Sequence, residues 1–224
     1  ASAMSGEVGR EFEHLTGATI IEGFGLSEAS PVTHSNPSDG SARIGSIGLP
    51  LPNTDVRLVD LETGTREVRP GEIGEMTIKG PQIMQGYLDD PEETAVALRN
   101  GWLFTGDLAT VSKEGFFEIV DRKKDMIITG GLNVYPTEVE ELIKQHPSVQ
   151  TCAVVGVPDR KYGELVCAWI VPAAGSSPDI EELKSFCREK LSGYKVPREF
   201  RMCDALPENF LGKVGRIDLR KRAA

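Results

Sequence analysis

The sequence predicts an α/β plus α+β fold, in which an α/β segment and a β-rich subdomain precede a small α+β domain. A strand followed by a glycine-rich turn near residue 25 is typical of the carboxyl edge of an α/β unit. Short β-branched runs separated by Gly and Pro then extend to about residue 120. Strands and helices alternate after residue 123. We therefore predict two domains, residues 1–122 (α/β end 1–40, β-rich subdomain 41–122) and residues 123–224.

In the α/β end, Val8, Phe12 and Leu15 recur at helical spacing, which predicts a short helix over residues 5–15. An apolar run at residues 18–21 predicts a strand. The stretch at residues 22–28 follows, where two glycines permit a tight turn or a close approach of backbone to a ligand.

The β-rich subdomain is predicted from repeated short runs of β-branched and aromatic residues separated by Gly and Pro rather than from one motif. A helix with Pro91 and acidic residues in its first turn interrupts it at residues 90–97. The predicted strands are residues 55–59, 74–79, 102–111 and 115–120.

The C-terminal domain alternates strands and helices. A helix is predicted to begin at Pro136, because Val139, Leu142 and Ile143 recur at helical spacing on one face. The predicted elements are strands at 126–128, 151–157, 165–171 and 200–203, helices from 136 and over 178–191, and then a solvated basic tail.

Composition excludes several classes of protein. The net charge of −9 disfavours generic nucleic-acid binding, which needs the opposite sign. No apolar run approaches the length of a membrane span and no signal peptide is evident, so we expect a cytoplasmic protein. The four cysteines form no CxxC pair, and the three histidines have no ligand-like partners. Residues 1–122 carry 20 acidic and 9 basic residues, whereas residues 123–224 carry 14 and 16.

Five charged residues stand beside glycine turns or at the predicted domain junction: Glu28, Asp107, Arg122, Lys124 and Lys213. Loops that bring backbone close to a ligand are favoured places for binding groups. Taken singly, each has a structural alternative, since Asp107 could cap a turn and Lys213 could be one more solvated base.

Four motifs in order resemble the adenylate-forming enzymes, which include acyl-CoA synthetases, firefly luciferase and peptide-synthetase adenylation domains. Within this family, residues 120–128 and Asn133-Val134-Tyr135-Pro136 most resemble bacterial long- and medium-chain fatty-acid CoA ligases. The four motifs are Gly23-Phe24-Gly25-Leu26-Ser27-Glu28, Gly101-Trp102-Leu103-Phe104-Thr105-Gly106-Asp107, Asp121-Arg122-Lys123-Lys124-Asp125-Met126-Ile127-Ile128, and Leu206-Pro207-Glu208-Asn209 with Gly212-Lys213.

The resemblance implies a two-step ligase that uses ATP, Mg²⁺ and CoA. A carboxylate attacks the α-phosphate of ATP to give an acyl-adenylate and pyrophosphate, and the CoA thiol then displaces AMP. The implied partners are these small molecules, and the implied location is cytoplasmic, with peripheral association at the inner membrane face.

The first two motifs carry the nucleotide-binding residues that the resemblance implies. Phe24, which replaces the usual Tyr, lies against adenine, and Gly25 belongs to the same loop. Ser27 faces the phosphates, Glu28 helps to hold Mg²⁺, and Asp107 accepts hydrogen bonds from the ribose hydroxyls.

The resemblance also implies a mobile C-terminal domain, whose functional residues lie in the last two motifs and at Gly131. By this resemblance, Arg122 is expected to approach the ribose, and Lys124 to be the hinge about which the domain alternates between the two half-reactions. Gly131 leaves room for the pantetheine of CoA. Lys213 balances charge while the adenylate forms.

Two family elements are missing from the sequence, namely the Ser/Thr/Gly-rich loop ending in Lys-Gly that binds the triphosphate and the segments that build the acyl pocket. We therefore expect the C-terminal part of a longer ligase, inactive alone. The alternatives are an aryl-CoA ligase, a luciferase-like or carrier-loading enzyme, and a stand-alone nucleotide- or CoA-binding module without catalysis.

Overall fold

The computed structural model describes residues 6–209 and 212–223, and the chain divides into two compact units. Unit 1 comprises residues 1–120 and unit 2 residues 121–224. The division falls beside the domain boundary predicted at residue 122. As expected from the sequence, the fold is mixed α/β with several sheets.

Unit 1 is built from two antiparallel sheets with short helices. The three short strands pair in the order β1-β2-β3, and the others in the order β4-β5-β7-β6, with β8 also paired to β7. The elements are α1 (Gly6–Thr16), β1 (Gly23–Gly25), β2 (Val32–Ser35), β3 (Leu49–Pro50), β4 (Asp55–Val59), β5 (Gly74–Lys79), α2 (Pro91–Ala97), β6 (Leu98–Arg99), β7 (Trp102–Val111) and β8 (Phe117–Arg122), which continues into unit 2.

The prediction of a strand at residues 18–21 is wrong, because the first strand, β1, begins at Gly23. The N–H of Ile20 donates to the carboxylate of Glu13 at 2.8 Å rather than to a neighbouring strand. In addition, β1 pairs antiparallel with β2.

The core of unit 1 positions the glycine-rich segment. Leu58, Met76 and Ile78 are almost fully buried on one face of the larger sheet. Phe24 and Leu26 pack against this cluster, so the segment after β1 is held on the sheet by apolar contact.

Unit 2 is a sheet covered by helices on both faces. The strand order is β10-β9-β12-β11, and β13 adds parallel to β12. The elements are β9 (Ile127–Thr129), β10 (Leu132–Val134), α3 (Pro136–Ile143), β11 (Val149–Asp159), β12 (Gly163–Pro172), α4 (Ile180–Lys190), β13 (Glu199–Met202) and α5 (Arg216–Ala223).

The two faces of this sheet follow from the alternation of side chains along a strand. Val154 and Ala168 join a cluster that includes residues of α3 and α4, whereas Val155 and Trp169 join a cluster with Leu219 of α5. The basic tail expected from the sequence forms the helix α5, which was not predicted: Lys221 and Arg222 are exposed, but Leu219 is fully buried.

Helix starts agree with their local signals. The Asp90 carboxylate accepts a hydrogen bond from the Glu93 N–H at the start of α2, and the Asp179 carboxylate does the same at the start of α4. None of the helices within the described residues is long and apolar enough to span a bilayer.

Candidate functional site

The glycine-rich segment of unit 1 is held by a close approach of two backbone stretches. The Leu26 N–H donates to the Pro31 carbonyl at 2.7 Å. A Cβ on Gly25 would lie 2.2 Å from the same carbonyl oxygen, well inside van der Waals contact. Only glycine therefore fits this position without moving the backbone.

The Phe24 ring is half-buried and packs against the ring of His34. Its centroid lies 6.1 Å from that of His34 in an edge-on arrangement, and His34 in turn lies 5.0 Å from Phe117. His34 is fully buried, and its Nδ1 is 2.9 Å from the Thr33 hydroxyl. Burial lowers the pKa of His34 to about 4, so this imidazole is a neutral packing element at pH 7.

Ser27 and Glu28 lie in a short 3₁₀ turn, Ser27–Ala29, directly after the glycines. Ser27 is exposed, and Glu28 is half-buried. The Tyr87 hydroxyl donates to Glu28 Oε1 at 3.0 Å. Desolvation and this contact raise the pKa of Tyr87, so the phenol keeps its proton and orients the carboxylate.

Tyr87 is a site residue that sequence reasoning missed. It follows Gly86, whose backbone is extended with φ +156, in the turn before α2. The Tyr87 N–H donates to the Thr94 hydroxyl at 2.8 Å, which ties this turn to the helix. The sequence signal that could have indicated Tyr87 is the Gly86-Tyr87 pair, which directly precedes a helix with an Asp90 cap.

Asp107 is placed by an irregularity in the sheet. Thr77 faces Phe104 across β5 and β7, whereas Glu75 faces Leu108, so residues 105–107 oppose the single residue Met76. Gly106 adopts φ +69 in this bulge. Asp107 is 4% exposed. Bulges re-aim side chains and are frequent beside active sites.

The bulge is stabilised by one hydroxyl. Thr105 Oγ1 donates to the Met76 carbonyl at 2.8 Å and accepts from the Asp107 N–H at 3.1 Å. The backbone at Asp107 is therefore fixed on both sides of the bulge.

Arg122 and Lys124 lie in a hydrogen-bonded turn at the start of unit 2. The Arg122 carbonyl accepts from the Asp125 and Met126 N–H groups at 2.9 and 3.1 Å. The buried Asp121 carboxylate accepts from the Arg122 N–H at 2.7 Å and from the Thr137 N–H at 2.8 Å. The turn is thus tied to the first turn of α3, and the side chains of Arg122 and Lys124 are exposed.

Gly131 lies in the two-residue turn between β9 and β10. Gly130 and Gly131 have φ values of +58 and +80, which is the conformation of a type I′ hairpin. A Cβ on Gly131 would meet nothing within 4 Å, so there is open space beside this residue.

Lys213 is exposed, and its backbone is hydrogen-bonded to Asn209. The Asn209 N–H donates to the Lys213 carbonyl at 2.8 Å, and the Lys213 N–H donates to Asn209 Oδ1 at 3.0 Å. Gly212 adopts φ +71. The backbone of Lys213 is therefore ordered although its side chain reaches into solvent.

A cavity of about 340 Å³ in unit 1 lies apart from the predicted residues. Arg57 stacks on Trp102, and Arg99 stacks on Phe104, each at 4.3 Å from the ring centroid. None of the site residues predicted from the sequence lines it within the described part of the chain.

The chain belongs to the AMP-binding enzymes. Residues 1–88 match the AMP-binding enzyme family, and residues 138–213 match the AMP-binding enzyme C-terminal domain.

Three similar proteins place the chain more narrowly. It is 50% identical over 222 residues to a long-chain-fatty-acid--CoA ligase of Bacillus subtilis, covering 99% of this chain and 39% of that protein. It is 47% identical over 216 residues to a ligase of the same name from Escherichia coli O6:H1, covering 96% and 38%. The ATP-bound structure of MatB from Rhodopseudomonas palustris aligns with a TM-score of 0.89 and 37% identity, covering 96% and 43%. The chain thus spans about two fifths of the length of its relatives.

Proposed function

We propose that this chain supplies nucleotide-binding and charge-balancing residues of an AMP-forming fatty-acid CoA ligase. A carboxylate oxygen of the fatty acid would attack the α-phosphorus of ATP while the bond to pyrophosphate breaks. The CoA thiolate would then attack the acyl carbonyl, and AMP would leave with the electrons of the C–O bond. The observation that carries this proposal is the 50% identity to the Bacillus subtilis ligase over 99% of this chain.

In unit 1 we assign the nucleotide contacts to the two glycine-flanked motifs. Phe24 would lie against adenine, the Gly25 backbone and Ser27 would approach the phosphates, and Asp107 would accept the ribose hydroxyls. The burial of Asp107 at a bulge supports this role, since an ionised carboxylate accepts two donors and gains from being fixed beforehand.

Glu28 is the proposed Mg²⁺ ligand. It is a half-buried carboxylate oriented by Tyr87, which fits a cation that proteins usually hold through one or two carboxylates and substrate phosphates. Among residues 6–209 and 212–223 no group of three His, Cys, Asp or Glu residues could hold a metal alone. Bound Mg²⁺ supplies charge neutralisation for the phosphates.

In unit 2 we assign roles to groups on exposed turns. Lys213 would balance negative charge as the adenylate forms. Arg122 would approach the ribose, Lys124 would serve as the hinge, and Gly131 would leave room for pantetheine. The open space beside Gly131 and the exposure of Lys213 support these assignments.

A chimera tests the proposal, with this chain replacing the matching region of the Bacillus subtilis ligase. We expect acyl-CoA formation from ATP, Mg²⁺, CoA and palmitate. Lys213→Ala should slow acyl-adenylate formation by about 100-fold or more, the cost of removing one group that stabilises developing charge. Thioester formation from supplied acyl-adenylate should stay unchanged.

Lys221→Ala, which removes an exposed lysine from α5, is the matched control and should leave both half-reactions intact. Equal loss of both half-reactions in Lys213→Ala would refute the role of Lys213. An inactive chimera with its lysines intact would refute the proposed function.

We further propose a cytoplasmic location, with peripheral association at the inner membrane face where the fatty acid would be collected. Cys152, Cys167 and Cys187 are buried and unpaired, as is usual in a reducing compartment. Fractionation of cells that produce the protein tests this, and recovery outside the cytoplasm and inner membrane would contradict it.

A further inference from the structure

A cluster of buried charges connects α5 with the start of unit 2. The guanidinium of Arg216 donates to both carboxylate oxygens of Glu140, at 2.5 and 3.1 Å, and to the Val154 carbonyl at 2.7 Å. Its Nε lies 3.8 Å from Asp125 Oδ2. The carboxylates of Glu140 and Asp125 are 8% and 14% exposed, so these charges are largely withdrawn from water.

Arg220, one helical turn further on, holds the backbone of the predicted hinge. Its Nη2 lies 3.2 Å from the Lys124 carbonyl oxygen and 3.4 Å from that of Asp125. The same nitrogen is 3.3 Å from Asp125 Oδ1. The hydrogen bonds described for Arg220 are thus all made to the turn after Arg122.

This junction turn, residues 122–126, is closed on itself by the two bonds to the Arg122 carbonyl. The local backbone bonds and the two arginines of α5 hold it in this conformation. Removing one partner from a buried ion pair leaves an uncompensated charge, which is strongly unfavourable. Asp125, directly after the hinge residue Lys124, and the helix should consequently move together.

Lys213 is joined to the same body by a short stretch of chain. It precedes α5 by three residues, and the Gly215 N–H donates to the Pro207 carbonyl at 2.7 Å. Two hydrogen bonds with Asn209 also hold the Lys213 backbone. Ordered contacts therefore run from the junction turn through α5 to the backbone of Lys213.

We propose that Arg216 and Arg220 are positioning residues that fix the backbone at Lys213 relative to Asp125, directly after the hinge residue Lys124, so that unit 2 carries both as one rigid body. This inference rests on the proposed function, in which Lys213 acts in adenylation and Lys124 is the hinge. The two arginines act through the backbone they hold.

We call the contacts of Arg216 and Arg220 with residues 124–125 the clamp. The first test measures the clamp in the 224-residue chain without any assay of activity. Trypsin cleaves after Lys124, and Arg220→Gln should speed that cleavage roughly tenfold, as expected for the loss of charge-assisted hydrogen bonds. Hydrogen exchange at the Asp125 and Met126 amides should accelerate in parallel. Arg222→Gln removes the same charge from an exposed position on α5 and should change neither rate.

Hydrogen exchange in β11 and β12 reports whether unit 2 stays folded. If Arg220→Gln unfolds it, Arg220→Lys, which keeps the charge but loses the planar fork, takes its place. Equal cleavage rates in the position 220 variant, the Arg222→Gln control and the parent chain would overturn the proposal.

The second test uses the chimera described above. Arg220→Gln should lower kcat for acyl-adenylate formation roughly tenfold, since small misplacements of a reacting group are costly, while the KM for ATP stays unchanged. Thioester formation from supplied acyl-adenylate should change less than about twofold. Arg220→Lys should restore part of the lost rate.

A merely structural role would lower both half-reactions equally, and that result would also overturn the proposal. If the parent chimera makes no acyl-adenylate, the proposed function fails, whereas the cleavage and exchange rates still decide whether the clamp exists.

Discussion

The two units hold their predicted functional groups in different ways. In unit 1, Asp107 is buried on a strand and Gly25 lies where two backbone stretches touch. In unit 2, Lys213 and Gly131 lie on exposed turns with solvent around them. Fixing a group before the ligand arrives suits binding, since less order is lost on association. A group that must be delivered to different ligands needs an accessible turn with rigid support behind it.

The supports differ accordingly. Unit 1 relies on apolar packing and close backbone approach. In unit 2, the junction turn and the segment that carries Lys213 are supported by the charged cluster around Arg216. Each unit contains one tryptophan, Trp102 or Trp169, so replacing one with Phe leaves a fluorescence reporter for the other unit. The comparison can then be tested unit by unit.

The largest effect is expected from Glu140→Ala. We expect the free energy of unfolding of unit 2 to fall by about 4 kcal/mol, because the Arg216 guanidinium loses its bidentate partner in a largely buried site. The Val154 N–H also loses its acceptor at 2.7 Å. Urea unfolding followed by Trp169 fluorescence in a Trp102→Phe background measures this.

Glu141→Ala is the matched control, since Glu141 is exposed on the same helix. It should change stability by less than about 0.5 kcal/mol. If both variants lowered the free energy of unfolding by a similar amount, buried charge pairs would not distinguish the stabilisation of unit 2 from the apolar packing of unit 1.

Gly25→Ala should cost about 3 kcal/mol in unit 1, because the new Cβ would overlap the Pro31 carbonyl. Gly131→Ala should cost only about 1 kcal/mol in unit 2, since it adds strain at positive φ but meets no atom. Urea unfolding with the unit-specific tryptophans compares them. Equal costs would mean that the glycines are required for conformation alone.

Acid should weaken unit 1 through His34. Burial lowers its folded-state pKa from 6.5 to about 4, so the unfolded chain binds the proton more readily between these values. Stability is therefore lost as pH falls from about 6.5 to about 4, by about 2 kcal/mol at pH 5.

His34→Leu should remove this part of the pH dependence and leave unit 2 unchanged. Unfolding of unit 1 at pH 7 and pH 5, followed by Trp102 fluorescence, measures it. A variant with the parent's pH dependence would show that His34 does not cause it.

The smallest effect is expected for the exposed ion pair between Lys195 and Glu138. Lys195 Nζ lies 2.6 and 2.7 Å from the two carboxylate oxygens, but Glu138 is 41% exposed. A double-mutant cycle with alanine at both positions should give a coupling of about 0.5 kcal/mol that falls in high salt. A salt-independent coupling of several kcal/mol would show that this pair behaves like the largely buried ion pairs of Arg216 rather than like an exposed pair.

Local signals predicted much of the fold. The strands at 55–59, 74–79 and 102–111 are confirmed with the same bounds, because β-branched runs bounded by Gly and Pro carry a strong strand signal. The helix predicted over 178–191 is confirmed as α4, whose Asp179 cap is visible in the sequence.

The helix α5 was missed because its only buried apolar side chain is Leu219. Its basic residues predict a solvated tail when considered alone. The signal lay elsewhere, in the nearly continuous apolar runs of β11 and β12, which indicate a sheet covered on both faces. Tyr87 was missed for a related reason, since its partner Glu28 lies 59 positions away.

By itself, the sequence determined the elements with local periodicity, the ordered motifs that define the family, and the residue types available for its chemistry. The tertiary structure alone decided which charges are paired and where they are buried. Arg216 and Glu140 are 76 positions apart, yet their atoms are within hydrogen-bond distance. Ion pairing and desolvation depend on distance and surroundings in space, and spacing along the chain carries neither.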